Sequence, residues 1–156
     1  MLKKISGAFL WILAFQLIGY YIGKITKQNI PTWYQNLNKS ILNPPEFMFP
    51  IVWGILYVIL AFIGWSLWLK RNETRGKLSL ITYEIQMLMN WAWTPIFFSF
   101  HLIGVGFYWI MAMTIITLML IFINWKSNKL ISTLLIPYCL WLLFAGYLNW
   151  VIWLKN

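Results

Sequence analysis

Five apolar runs constrain this chain more than any other feature of its sequence. They cover roughly residues 5–25, 47–69, 78–100, 104–125 and 130–154. A helix rises about 1.5 Å per residue, so about 20 residues cross a hydrocarbon core of about 30 Å. Each run is apolar at both odd and even positions, whereas a barrel strand alternates, so the runs predict helices. Hydrophobic residues make up 62% of the 156 residues and charged ones 10%, against about 25% charged in an ordinary soluble domain. That is too little charge to clothe a surface facing water. The expectation is an all-α membrane protein, one domain over residues 1–156, folded as a bundle of five transmembrane helices.

The connections are unequal. Residues 24–46 form a long segment carrying Trp33, Tyr34, Leu37 and Ile41, too apolar for an idle linker, and it predicts a long loop folded back over the bundle between the first two helices. The other three connections are short, which makes neighbouring helices antiparallel. Lys3 and Lys4 before an apolar run imitate a signal peptide. The run, however, continues to about Ile25 with no small-residue cleavage pattern after Gly19, so a retained first helix is expected.

The net charge of +9 comes from twelve Lys and Arg against three Glu, with no Asp. In a soluble protein this balance would suggest nucleic acid. Here Lys70, Arg71, Arg75 and Lys77 fill one gap between runs and Lys126 and Lys129 another, which suits anionic lipid headgroups instead. With five spans, eight basic residues fall on the N-terminal side and four (Lys24, Lys27, Lys39, Lys155) on the other. The positive-inside rule then predicts a multi-pass cell-membrane protein with a cytoplasmic N-terminus.

The same counts remove most chemistry. One His, one Cys and no Asp leave no multi-histidine metal site, no carboxylate dyad of aspartates and no intrachain disulfide. No metal and no resident cofactor are expected. Cys139 reads as a packed thiol, and His101 either as a solvated loop residue or as a haem ligand. Glu84, the acidic residue inside a run, reads either as a proton-coupling group or as a shallow carboxylate paired with a nearby cation. The glycines at 19 and 23 form a GxxxG spacing that allows close helix approach. Pro95 and Pro137 interrupt the third and fifth runs and predict kinks.

Polar side chains at membrane depth are costly and point to a site or to interhelical bonding. Gln86 and Asn90, four apart, share a helix face with Trp93 and Phe97. Trp141, Phe144, Ala145, Leu148 and Asn149 share another, and Trp53 and Tyr57 a third. If the three faces converge, they enclose a flat-walled pocket suited to an aromatic, largely apolar ligand. Trp11, Trp68, Trp125, Trp150 and Trp153 lie near run ends and read as interfacial belt residues.

These residues resemble the translocator protein family, also called the tryptophan-rich sensory protein or peripheral benzodiazepine receptor family. The resemblance runs through Trp33, Tyr34, Leu37, Lys39, Pro44, Pro45, Phe49, Trp53 and Leu56-Tyr57. It continues in Gln86, Asn90-Trp91-Ala92-Trp93, Pro95 and Phe97-Phe98, then Pro137-Tyr138, Trp141, Phe144-Ala145 and Leu148-Asn149. It departs at Lys39-Ser40, where the family usually has Lys-Pro. The stretch before Lys155 lacks the Tyr of the animal members' sterol motif.

The resemblance implies a five-helix bundle, often a homodimer, with a cavity under the first loop for porphyrins and for isoquinoline or benzodiazepine-type drugs. Carried over, the pocket uses Trp33, Trp53, Asn90, Trp141, Phe144 and Ala145. Together with the helix faces and the signature, the candidate ligand site is Trp33, Tyr34, Phe49, Trp53, Tyr57, Asn90, Trp93, Trp141, Phe144, Ala145 and Asn149. The expected function is binding of protoporphyrin and its light-dependent oxidative degradation, without a conventional set of catalytic residues and with Trp53 and Trp141 as the reactive indoles. The alternative is a tetrapyrrole carrier or sensor. A small multidrug exporter would need a carboxylate in the first helix, which is absent.

Overall fold

A computed structural model describes residues 2–156, with side chains described from Ser6 onward. Five long helices make up the chain: α1 (Leu2–Asn29), α2 (Met48–Leu69), α3 (Thr74–Thr94), α4 (Ile103–Trp125) and α5 (Lys129–Lys155). No strand occurs among the described residues. Four of the helices (α1 from Ser6, α2, α4 and α5) are long and apolar enough to cross a membrane. The other, α3, begins four residues before its apolar run, because Thr74, Arg75 and Lys77 carry the backbone hydrogen-bond pattern onward without being apolar.

The expected continuation of the third helix to residue 100 is corrected. α3 stops at Thr94 and Pro95–Ser99 form one π-helical turn. Proline has no N–H to donate to the carbonyl four residues back. The chain widens instead, and the Phe100 N–H donates to the Pro95 carbonyl at 2.9 Å. His101 then takes φ 56, the described non-glycine residue with positive φ, and the chain reverses into α4.

The core forms where α2, α3, α4 and α5 meet. Leu60, Ala61, Ile63, Thr117, Leu120 and Tyr138 are essentially inaccessible. α4 packs most extensively on α5, and Gly146 makes that approach close: a Cβ there would run into Met111 Cε. Helix pairs are tied by polar bonds. Tyr83 Oη donates to the Leu60 carbonyl at 2.7 Å, and Trp109 Nε1 to the Met89 carbonyl at 2.8 Å.

α1 is peripheral. Only 6% of its apolar window is buried, against 33–39% for the other three candidate spans. It docks on α2 through Phe15 and Trp11. The glycine pair divides: Gly19 makes room for the Tyr57 ring, 2.6 Å from where its Cβ would be, while Gly23 has no neighbour within 4 Å. Trp11 is half-buried, packed against Phe15, Trp65 and Trp68. Trp68, Trp125, Trp150 and Trp153 are exposed, between 38% and 47%.

Candidate functional site

The site begins with Tyr138. Its hydroxyl is fully buried on α5 and receives hydrogen bonds from Asn90 Nδ2 at 2.9 Å and from Gln86 Nε2, both on α3. Asn90 in turn accepts from the Tyr57 hydroxyl of α2 at 3.1 Å. One asparagine amide therefore joins three helices, donating to α5 and accepting from α2. In a low-dielectric interior each of these groups would otherwise be stranded, which is why they converge. Tyr138 belongs to the family signature but not to the site expected from the sequence. The signal available was its Pro137-Tyr138 position, three residues before Trp141 and so on the same helix face.

Aromatic rings flank this network. Trp53 lies 5.4 Å from Tyr57 between ring centroids. Trp141 meets Phe49 edge-on at 6.4 Å and Phe144 at 5.8 Å. Trp53, Trp141 and Ala145 are half-buried against the core. The Trp141 Nε1–H is buried without an acceptor among the described residues.

A second cluster covers one end of the bundle. Residues 30–47, which join α1 to α2, include a 3₁₀ turn at Tyr34–Asn36. Trp33 stacks on His101 at 4.1 Å and meets Phe97 at 5.2 Å. Tyr34 is buried against Phe97 and Phe98, and its hydroxyl donates to Asn43 Oδ1 at 2.7 Å. Burial, with some help from the Glu46 carboxylate, pushes the Tyr34 phenol up to about 12. The Lys39 ammonium donates to the carbonyls of Tyr34, Gln35 and Leu37, so the Lys39-Ser40 variation leaves a working cap. The segment is latched to the end of α5: the Asn38 N–H donates to Asn156 Oδ1 at 3.0 Å, and the Ser40 and Tyr147 hydroxyls are 3.2 Å apart.

Trp93 links the two clusters. It stacks on Phe97 at 5.0 Å and donates from Nε1 to the Gly106 carbonyl at 3.2 Å. Asn149 turns toward α4, donating from Nδ2 to the Ile103 carbonyl at 2.8 Å; its Oδ1 has no described partner. Thus Trp53, Tyr57 and Asn90 are joined around Tyr138, Phe49, Trp141 and Phe144 form an adjoining aromatic group, and Trp33, Tyr34 and Trp93 belong to the end cluster. Asn149 sits at the α4–α5 contact. Glu84 is exposed on the face of α3 opposite the buried Gln86 and Asn90. His101 serves as a stacking partner of Trp33.

The TspO/MBR family profile matches residues 11–154, which includes every residue of this site. The chain belongs to the TspO/MBR family. It is 32% identical over 147 residues to the tryptophan-rich protein TspO of Archaeoglobus fulgidus, covering 93% of this chain and 94% of that one. The TspO of Chlorobaculum tepidum is 32% identical over 164 residues, with 97% of both chains covered. The human translocator protein is 29% identical over 126 residues, or 80% of this chain and 75% of that protein. Membership of this family and four apolar helices of spanning length make the chain a multi-pass membrane protein.

Proposed function

We propose that this TspO/MBR protein binds a tetrapyrrole of the protoporphyrin type against Trp53, Trp141 and Phe144, and promotes its oxidation in light. The observation that carries the reading is Trp141. Its indole contacts two further rings, and its buried N–H lacks an acceptor among the described residues. A ligand carbonyl or carboxylate would supply one, and a flat macrocycle would suit the ring walls. The Tyr57–Asn90–Tyr138 network holds those walls in place, and the 30–47 segment acts as a lid that keeps water out. Light excites the bound porphyrin and dioxygen is the oxidant: an electron given to the excited ring by the indole of Trp53 or Trp141 passes on to dioxygen, and the oxidised indole recovers its electron from the macrocycle, so that the porphyrin is the species oxidised and dioxygen the species reduced. The hard chemistry belongs to the ligand, while the protein supplies position and exclusion of water.

In this reading α3 is a fifth span, with Gln86 and Asn90 turned inward, and the N-terminus is cytoplasmic. The protein pairs as a homodimer in the bilayer, and the pocket also takes isoquinoline and benzodiazepine-type drugs. A spectral titration with protoporphyrin, in darkness and under illumination, tests the proposal. Saturable binding in the dark and loss of the porphyrin spectrum in light are expected. Trp141→Phe should retain binding in part and slow the light reaction; an unchanged photoreaction would remove the indole from the mechanism.

The relatives named translocator and sensory proteins favour a second reading, in which the same pocket carries or senses tetrapyrroles. Uptake of protoporphyrin into protein-containing vesicles in darkness distinguishes it. Uptake no faster than in protein-free vesicles would eliminate the carrier.

A further inference from the structure

At the end of the bundle remote from the 30–47 segment, α3 begins and α4 ends side by side. Between them lies an open groove of about 410 Å³, lined by Arg75, Leu78, Phe122, Ile123, Trp125 and Lys126. The lining divides by chemistry. Arg75 is in the first turn of α3 and Lys126 directly follows the last residue of α4, so both cations stand at the helix ends. Leu78 and Phe122 lie about one turn further in, toward the hydrocarbon, and are 52% and 75% exposed. Trp125, 47% exposed, sits at the level between them.

The groove has fixed walls. Ser79, next to Leu78, is buried and donates to Asn124 Oδ1 at 3.3 Å; Asn124 is buried next to Ile123 and Trp125. Asn124 Nδ2 donates in turn to the Leu120 carbonyl at 2.9 Å, and Ser132 of α5 donates to the Ile121 carbonyl at 2.9 Å. The surroundings are cationic: Lys70, Arg71, Arg75, Lys77, Lys126 and Lys129 outnumber the single carboxylate of Glu73. Some of these cations are already engaged. Arg71 covers Trp68 at 4.5 Å and donates to its carbonyl, and Lys129 lies 6.0 Å from the Trp125 ring. The side chains of Arg75 and Lys126 have no polar partner among the described residues.

We propose that this groove binds one anionic phospholipid, with its phosphate between Arg75 and Lys126 and an acyl chain along Leu78 and Phe122. A guanidinium matches phosphate oxygens in a two-point bond, and basic recesses between helices suit anionic headgroups. The lining contains no carboxylate, so it offers nothing to the cationic part of a zwitterionic headgroup. Four of its six residues are apolar or aromatic, which a free anion would leave uncovered. An indole at the boundary between chain and headgroup is where membrane proteins place tryptophan. The site lies at the opposite end from the Trp33 cluster and does not depend on what the aromatic pocket binds.

The test uses the full chain, purified in detergent and stripped of lipid. Native mass spectrometry and thermal unfolding are followed as phosphatidylglycerol, phosphatidylcholine or inorganic phosphate is added. One tightly held phosphatidylglycerol per chain is expected, with phosphatidylcholine held much more weakly. Each basic side chain near a membrane surface contributes about fivefold, so Arg75→Gln with Lys126→Gln should weaken phosphatidylglycerol binding about thirtyfold. Lys126→Gln alone, outside the helices, should weaken it about fivefold if the double variant does not fold. Lys24→Gln with Lys27→Gln, at the other end, should leave it within about twofold. Equal affinity for phosphatidylcholine would overturn the proposal. So would undiminished binding in the Lys126→Gln variant, an equal loss in the Lys24/Lys27 variant, or displacement of the lipid by millimolar phosphate.

Discussion

Asn90 and Tyr138 meet at 2.9 Å in the centre of the bundle, with the Tyr138 side chain fully buried. This bond, with the Tyr57 hydroxyl on the other side of the same amide, holds the aromatic walls of the candidate pocket at one spacing.

Tyr138→Phe should therefore destabilise the protein by about 1–3 kcal/mol, because it strands the amide donors of both Asn90 and Gln86. Adding Asn90→Leu should cost less than the sum of the two single changes, since the partners are removed together. Thermal unfolding in detergent measures both. Additive losses would show that the bond carries no energy of its own.

Gly19→Ala should shift the Tyr57 ring, whose nearest atom is 2.6 Å from the new Cβ, and with it the Tyr57–Asn90 bond. A cost of about 1–3 kcal/mol is expected, as for other overpacked sites. Gly23→Ala meets nothing within 4 Å and should be neutral or slightly stabilising through helix propensity. Equal effects of the two changes would contradict this division of the glycine pair.

Two tryptophans provide a contrast in sign. Trp109 donates to the Met89 carbonyl at 2.8 Å, whereas the Trp141 N–H has no acceptor among the described residues. Trp109→Phe should lose a bond as well as volume. Trp141→Phe loses volume but also removes a stranded donor, so it should be the milder change by about 1 kcal/mol. Its effect should appear in ligand affinity instead, which parallel melting and protoporphyrin titrations separate.

The Tyr34 phenol connects the 30–47 segment to alkaline pH. Its value is raised from 10.0 to about 12 by burial. The folded state thus holds this proton more tightly than the unfolded state. The resulting stability is fully present below pH 10.0 and disappears as pH rises through about 12. Phenolate absorbance should show one late-titrating tyrosine in that window, and Tyr34→Phe should abolish it. Titration of Tyr34 together with the exposed tyrosines would show that the segment is not closed over it.

Much of the candidate site was legible because helical spacing is a local property. Gln86 with Asn90 and Trp53 with Tyr57 had to share faces once their runs were helices. Tyr138 was harder to weigh, since a tyrosine inside an apolar run reads as packing until its partners are known. The end of the third helix was hidden for a different reason. Pro95 announces a broken bond, but whether the chain kinks, stops or widens into a π turn depends on what Phe97 and Phe98 can be buried against, here Trp33, Tyr34 and Trp93. The packing of Trp11 on Trp65 and Trp68 was hidden too, because distance from a run's end measures depth in the membrane, not whether α2 stands beside it.

The amino-acid sequence by itself determined the class of the molecule, since run length and the scarcity of charge leave helices in lipid as the stable outcome. It also determined which side chains share each helix face. Only the tertiary structure decided which faces meet: that Asn90 spans Tyr57 and Tyr138, that Asn149 turns to α4, and that the Trp141 N–H has no partner among the described residues. Those choices depend on helix rotation and on close approach at Gly19 and Gly146, contacts between residues far apart in sequence that no local periodicity encodes.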